Sequence, residues 1–350
     1  MKIAVHTTPH LHKLNYAPQW ICALKQKNVS VLECDFHSNG ILQKIRQCSG
    51  ALWHFFHTPF DKISAHKILT AIEYCMKVPV FPNFSSRWHF DEKTAQHYLL
   101  SSIEAPYIPS WIFWNKSDAL AFLDSCEFPL VFKLSVGAGS ANIIKLDTKK
   151  QTEKIIDTMF DKHLFPYSFN EFAHPAYSPS KSGIKRFVKR ITGALNYLCR
   201  NEYPPLNNYY IPERNYVYFQ QYLPDNTHDI RITVIGNRAF GFIRRNRPDD
   251  FRASGSGLVD HNPKHIPLEV VQAAHDISLK LGFQSMAYDF LKSPGGTFLI
   301  NEISYAYKSE TVEQCPGYWD RSLRWHDGHI KPEDAHIADF IAQIEQGRLQ

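Results

Sequence analysis

The chain has 350 residues, 44% of them hydrophobic and 21% charged, with a formal net charge of +5. At about 150 residues per domain the length points to two or three lobes. The composition excludes a largely disordered chain, a collagen-like fibre and a small disulfide scaffold. Lys2–Val5 opens the chain as a strand and not as a leader peptide. A helix over Ala17–Lys27, a strand over Val29–Cys34 and a helix over Asn39–Gln47 follow. Gly50–Phe56 then reads as a strand, Ala65–Lys77 as a helix and Val78–Phe81 as a strand. This alternation predicts a small parallel α/β lobe, and with no GxGxxG it gives no support to dinucleotide binding.

A second unit begins near Ser85. It reads as a helix over Asp91–Ser102, a strand around Trp111, a helix over Asp118–Ser125 and a buried strand over Phe128–Leu134 that carries Lys133 near its end. The turn Val136–Ser140 separates it from a strand over Ala141–Leu146. Strand, glycine loop, strand differs from a Walker loop, which leads into a helix. Residues 161–212 are rich in Tyr, Pro, Asn and basic residues, with a basic helix expected over Ser182–Leu198. Strands are predicted over Asn215–Tyr222, Ile230–Ile235, Arg238–Asn246, Ser285–Leu291 and Thr297–Ile303. Helices are predicted over Leu268–Leu281 and Ala335–Gln346.

Three groups of residues carry chemistry. Lys133 presents an ammonium at a strand end beside Gly137, Gly139 and Ser140, whose backbone N–H groups can approach an anion; the bland alternative is a hairpin with a surface lysine. Asp289 and Glu302 interrupt apolar strands, where a carboxylate is costly unless paired or bound to a cation. If their strands are antiparallel neighbours, the two acids can converge on Mg²⁺; the alternative is pairing with Arg231, Arg244 or Arg245. Arg231 and Arg244 alternate with apolar residues, a pattern that places guanidinium groups on one sheet face for phosphate or carboxylate. Asp229 shares that face and can orient Arg231.

The ordered set Asp91-Glu92-Lys93, Phe128–Lys133 with Gly137–Ser140, Phe219–Pro224, Asp229–Arg231, Arg244, Asp289 and Asn301–Ser304 resembles the ATP-grasp superfamily, most of all its glutathione-synthetase-like and RimK-like branch. The resemblance covers about residues 85–310 and rests on order, no single motif being decisive. It implies an α/β fold of three lobes: an N-terminal Rossmann-like lobe over 1–88, a central lobe over 89–212 and a C-terminal lobe over 213–350. It implies ATP and Mg²⁺ as cofactors. Lys93, Lys133, Gly137, Gly139 and Ser140 would meet the phosphates. Gln220, Gln221, Tyr222 and Leu223 would form the hinge at the adenine edge, with Asp225 near the ribose. Arg231 and Arg244 would be catalytic, and Asp289, Glu302 and Ser304 would hold the metal. Ser304 stands where the family usually has Asn, and Asn301, one residue before the acid, is expected on the other face of its strand.

The implied reaction is activation of a carboxylate as an acylphosphate and its capture by an amine. The alternatives are a small-molecule kinase and a degenerate nucleotide-binding protein. The carboxylate reads as a small molecule or a glycan-linked acid, a tilt toward polysaccharide biosynthesis taken from the aromatic and basic insert. A homodimer is an option. Nucleic acid is not expected at so mild a charge, and no apolar run approaches the length of a membrane span. Seven scattered cysteines, odd in number and without CxxC, fit reduced thiols in a cytoplasmic protein. Of the other features, Arg252–Gly257 reads as a loop that can bind an anion, Tyr305 and Tyr307 as packing residues, and the basic helix as a solvated face. Metal binding is not expected at His6, His10, His12, His54 or His57, because no carboxylate or cysteine accompanies them at ligand spacing.

Overall fold

A computed structural model describes residues 1–8, 15–137, 142–166, 211–247 and 257–347. Its first part is β1 (Lys2–His6), α1 (Ala17–Gln26), β2 (Ser30–Cys34), α2 (Ile41–Ile45), β3 (Gly50–Leu52), α3 (Pro59–Thr70), β4 (Val80–Phe81) and α4 (Phe84–Arg87), with one π-helical turn over Ala71–Cys75. The four strands form a parallel sheet in the order β2-β1-β3-β4. Ile3, Ala4 and Val5 are buried between helices on both faces, which is why β1 reads as an unbroken apolar run. Thr58 caps α3 by accepting the Asp61 N–H at 3.2 Å.

The middle part is α5 (Lys93–Ser102), β5 (Ser110–Phe113), α6 (Lys116–Phe122), β6 (Leu130–Lys133), β7 (Ile143–Leu146), α7 (Lys149–Asp161) and β8 (Val217–Gln221). Its strands make an antiparallel sheet, β5-β8-β6-β7. Leu130, Phe132, Ile144, Val217 and Phe219 pack there against Ala119 and Leu123 near α6 and against Ile156 and Met159 of α7. Because β8 lies between β5 and β6, the central lobe extends past residue 213, the expected boundary.

The last part is β9 (His228–Ile235), β10 (Arg238–Arg245), β11 (Val259–Asp260), α8 (Leu268–Leu281), β12 (Ser285–Lys292), β13 (Phe298–Ser304), α9 (Ser309–Glu313), β14 (Gly317–Trp319), β15 (Trp325–Asp327) and α10 (Pro332–Gly347). Its antiparallel sheet runs β13-β12-β9-β10-β14-β15, with β11 on β10. Strand alternation separates its two faces. Ile230, Ile232, Val234, Met286, Tyr288 and Phe290 pack with Val270, Val271, Ala274 and Ile277 of α8, in a core that also contains Ala4, Phe36, Trp53 and Phe55 of the first lobe. The other face carries the charged residues. The chain ends by returning to its start, where Ile337, Phe340 and Ile344 of α10 complete the core around Ile3, Val5 and Trp20.

Candidate active site between the two antiparallel sheets

The register of the large sheet gathers the acids and arginines. Asp289 on β12 lies opposite Glu302 on β13 and opposite Arg231 on β9, and Asp229 lies opposite Arg244 on β10. Residues paired in this way share a face, so the expected antiparallel pairing is present and both acids lie on one face of the sheet. The acids nevertheless have cationic partners. Arg231 grips Asp289 through Nε and Nη2 at 2.6 and 2.7 Å, and Arg244 reaches the same carboxylate at 2.7 Å. Arg244 also holds Asp229 through two bonds of 2.8 and 2.5 Å. Burial alone would raise the Asp289 carboxyl, but the two guanidinium groups outweigh it and hold it at about 2. Asp229 is therefore the partner of Arg244 and does not orient Arg231 directly.

Lys133 enters from the other sheet. It is 3% exposed, and its Nζ donates to Asn301 Oδ1 at 2.8 Å. Burial pushes its amine down to about 7 against the pull of Glu302 and Asp289, and the Lys93 charge adds to the lowering. Asn301 reaches this lysine because the β12–β13 ladder slips: Asp289 pairs with Glu302, but Phe290 pairs with Ile300. Asn301 is thus the extra residue of a β-bulge, which corrects the expectation that it points away. Ser304 donates its hydroxyl to the Ala306 carbonyl at 2.7 Å and lines a cavity beside Glu302.

Lys93, at the first turn of α5, is 4% exposed; its amine donates to the Gly137 carbonyl at 2.7 Å and lies 3.7 Å from Glu302. Asp91 accepts the Gly137 N–H at 2.9 Å, and burial raises its carboxyl to about 6 despite Lys62 at 3.6 Å. The residues before Gly137 are fixed as well: Ser135 N–H donates to Glu213 at 2.9 Å, and its hydroxyl donates to Glu92 at 2.8 Å. Sequence reading did not single out Asp91, Lys62 or Glu213 for this anchoring. The acids just before Lys93 in Asp91-Glu92-Lys93 were the signal available. Gly137 has φ +135°, in the region that favours glycine. Gly139 and Ser140 lie outside the described residues, as do the helix over Ser182–Leu198 and most of Arg252–Gly257.

The hinge follows from β8. Gln220 is buried, with its amide on Ser110 Oγ at 3.2 Å, and the Gln221 N–H bonds the Pro109 carbonyl at 2.9 Å. Tyr222 lies under Lys145, whose amine is 4.7 Å from the ring centre, and Leu223 is buried. Asp225 adopts φ +61°. These residues sit where β8 leaves the central sheet for β9, the connection between the two sheets.

A cavity of about 250 Å³ adjoins the acids on the N-terminal side, among Phe55, Phe56, His57, Phe90, Glu302 and Lys308. The residues after β3 supply one wall, so the first part of the chain and the end of β13 face each other there. Two antiparallel sheets joined to a parallel α/β lobe is a specific architecture, and solved structures share this fold over nearly the whole chain. A RimK domain ATP-grasp protein from Sphaerobacter thermophilus aligns over 98% of this chain and 100% of its own, with a TM-score of 0.54 and 13% identity. The chain has the ATP-grasp fold. D-alanine–D-alanine ligase from Bacillus anthracis, complexed with ATP, aligns over 99% and 98% (TM-score 0.56, 11% identity). The ATP-grasp ligase PsnB, complexed with a minimal precursor, Mg and ADP, aligns over 98% of each chain (TM-score 0.55, 12% identity). No family model matches the sequence, and no curated protein matches it. Among the described residues no helix is long and apolar enough to cross a membrane.

Proposed function

We propose that the chain is an ATP- and magnesium-dependent ligase that activates a carboxylate as an acylphosphate and joins it to an amine. The observation that carries this reading is the meeting of two buried lysines with the metal-facing end of β13: Lys133 on the Asn301 amide at 2.8 Å and Lys93 near Glu302 at 3.7 Å. Burying two ammonium groups side by side is unfavourable for the empty protein. A polyphosphate entering from the hinge relieves it. The solved ATP-grasp proteins complexed with ATP, or with ADP and Mg, support the same choice of ligands.

The donor set fits magnesium, being carboxylate and amide oxygen from Glu302, Asp289 and Asn301, with the Ser304 hydroxyl two residues along β13. A bound Mg²⁺ would neutralise phosphate charge in the phosphoryl transfer. Arg231 already presents bidentate geometry to the Asp289 carboxylate, and Arg244 to that of Asp229. The same forks can steady the substrate carboxylate or the oxyanion formed when the amine attacks. Lys133 and Lys93 hold the phosphates in place, and Gly137, tied at both its N–H and its carbonyl, sets where the glycine loop begins. No protein nucleophile is needed.

For the acceptor, the cavity beside Glu302 supports a small carboxylate, and its aromatic rings can stack on a sugar ring or an apolar side chain. That keeps the sugar acid of the sequence reading, together with amino-acid-sized acids. The test is an ADP-release screen of carboxylates crossed with amines, with products read by mass spectrometry. ADP release should need both partners. Asp289→Asn and Glu302→Gln should each abolish it, and turnover that survives both substitutions rules the reading out. ADP release that needs no amine makes the protein a kinase.

A further inference from the structure

We propose that His6, Asp35 and His37 form a binding site for a transition-metal ion of the zinc class, separate from the nucleotide-facing cleft. The three donor atoms lie within 4.8 Å of one another, and sequence spacing hides this. Parallel pairing of β1 with β2 sets His6 beside Cys34, so the next two turns of chain, Asp35 to His37, close over the end of β1. This is the carboxyl end of a parallel sheet at the point where strand order reverses, since β1 has β2 on one side and β3 on the other. Open α/β sheets place ligands there.

The hydrogen bonds leave the cluster able to receive a cation in one His37 tautomer. The Ser64 hydroxyl donates to the Phe60 carbonyl at 2.7 Å, and one hydroxyl has one proton. Its contact with His37 Nε2 at 3.0 Å is then acceptance in the tautomer that carries the proton on that nitrogen. In that tautomer His37 Nδ1 is a lone pair 3.0 Å from Asp35 Oδ1, and in the other it donates to that oxygen. His6 Nδ1 is also a lone pair, because it accepts the Phe36 N–H at 3.0 Å. It lies 3.8 Å from the same Asp35 oxygen. In the Nε2–H tautomer three acceptors converge and a cation can satisfy them together, Asp35 Oδ1 also taking the His37 backbone N–H at 2.9 Å. With metal–ligand bonds of about 2.0–2.1 Å, tetrahedral ligands stand about 3.4 Å apart, between the two separations found.

The surroundings are those of a metal ligand shell. The Ser64 hydroxyl, 3.0 Å from His37 Nε2, stands where an outer-shell partner of a ligating imidazole stands. His6 is 5% exposed and stacks on Trp53 at 4.3 Å, so its ring is held in place. Two imidazoles and one carboxylate suit zinc, cobalt, nickel or copper and not magnesium or calcium. Asp35 is 45% exposed, which leaves a coordination position open to solvent. On binding, His6 exchanges the Phe36 N–H for the ion.

The experiment uses the untagged full-length chain, stripped with chelator and titrated with zinc alone against a chromophoric competitor. Wild type should bind one equivalent that is lost, or weakened at least about tenfold, in His37→Gln and in Asp35→Asn, and weakened by a similar factor in Ser64→Ala. Excess magnesium should not displace it. Circular dichroism confirms that each variant is folded, and nitrogen NMR of His37 gives a readout without mutation: its Nδ1 signal should move on zinc addition. Equal zinc binding by wild type and the folded variants overturns the proposal. So does a His37 ring that is doubly protonated at neutral pH and unmoved by zinc, the sign of a plain His37–Asp35 ion pair.

Discussion

Lys133 shows how a single buried charge couples folding, pH and ligand. The unfolded amine titrates near 10.5 and the folded one near 7, so between these values the unfolded chain holds the extra proton and stability rises with pH. Below pH 7 both states are protonated and the cost of burying the charge is borne in full. Lys133→Met should therefore have its largest stability advantage over wild type at or below pH 7, on the order of a few kcal/mol. The advantage should shrink toward pH 10.5, as followed by urea unfolding across that range. Polyphosphate binding should reverse the shift. At pH 8, titration calorimetry in two buffers of different ionisation enthalpy should show uptake of up to one proton with wild type and none with Lys133→Met. The Asp229–Arg244 pair makes a second point at this scale. Both partners are largely buried, and truncating one of them strands the other's charge. Asp229→Ala should cost about 3–5 kcal/mol in chemical denaturation. Arg245→Ala, whose 61%-exposed side chain lies 3.7 Å from Asp260, should change stability by less than about 0.5 kcal/mol. The sequence identified the groups but left their pairing open, because which cation meets which acid depends on strand register.

At the scale of elements, long periodic segments were legible. Leu268–Leu281 is a helix with the expected ends, and β1, β2, β9, β10, β12 and β13 lie where apolar alternation places them. Two kinds of element were not. α7 was not predicted, although Thr152, Ile156 and Met159 form a buried stripe at helical spacing among the charges of Lys149, Lys150, Glu153 and Lys154, behind a Thr148 cap on the Gln151 N–H at 3.3 Å. The bulge at Asn301 has no signature in its own strand, since it arises from the pairing of β13 with β12. The seating of α10 gives a prediction. A Cβ built on Gly50 would lie 2.7 and 2.8 Å from the Phe340 ring and 2.9 Å from Ile344. Gly50→Ala should thus destabilise by about 1–3 kcal/mol in urea unfolding. Adding Phe340→Leu should recover part of that loss, which a defect confined to β3 would not allow.

Across the whole molecule, core continuity cuts across the three-lobe division. The first lobe and the large C-terminal sheet share one apolar cluster, joined by residues as far apart in sequence as Ala4 and Tyr305, whereas the central sheet has its own. Native-state hydrogen exchange should then show β1–β4 and β9–β13 opening together near the global free energy, and the central sheet opening at lower cost. Adding ATP with Mg²⁺ should raise protection mainly in the central sheet. A single opening energy for all three sheets would contradict this division. By itself the sequence determined the order of strands and helices, the lysines, acids and arginines to watch, and the resemblance to the ATP-grasp fold, because local periodicity and residue chemistry are written in adjacent positions. Only the tertiary structure decided that Asp289 is gripped by two arginines, that Asn301 meets Lys133, that α10 closes the first lobe and that Asp35 joins His6 and His37. Each of these depends on register and packing between segments distant along the chain, and no local pattern records the alignment of two strands that have yet to meet.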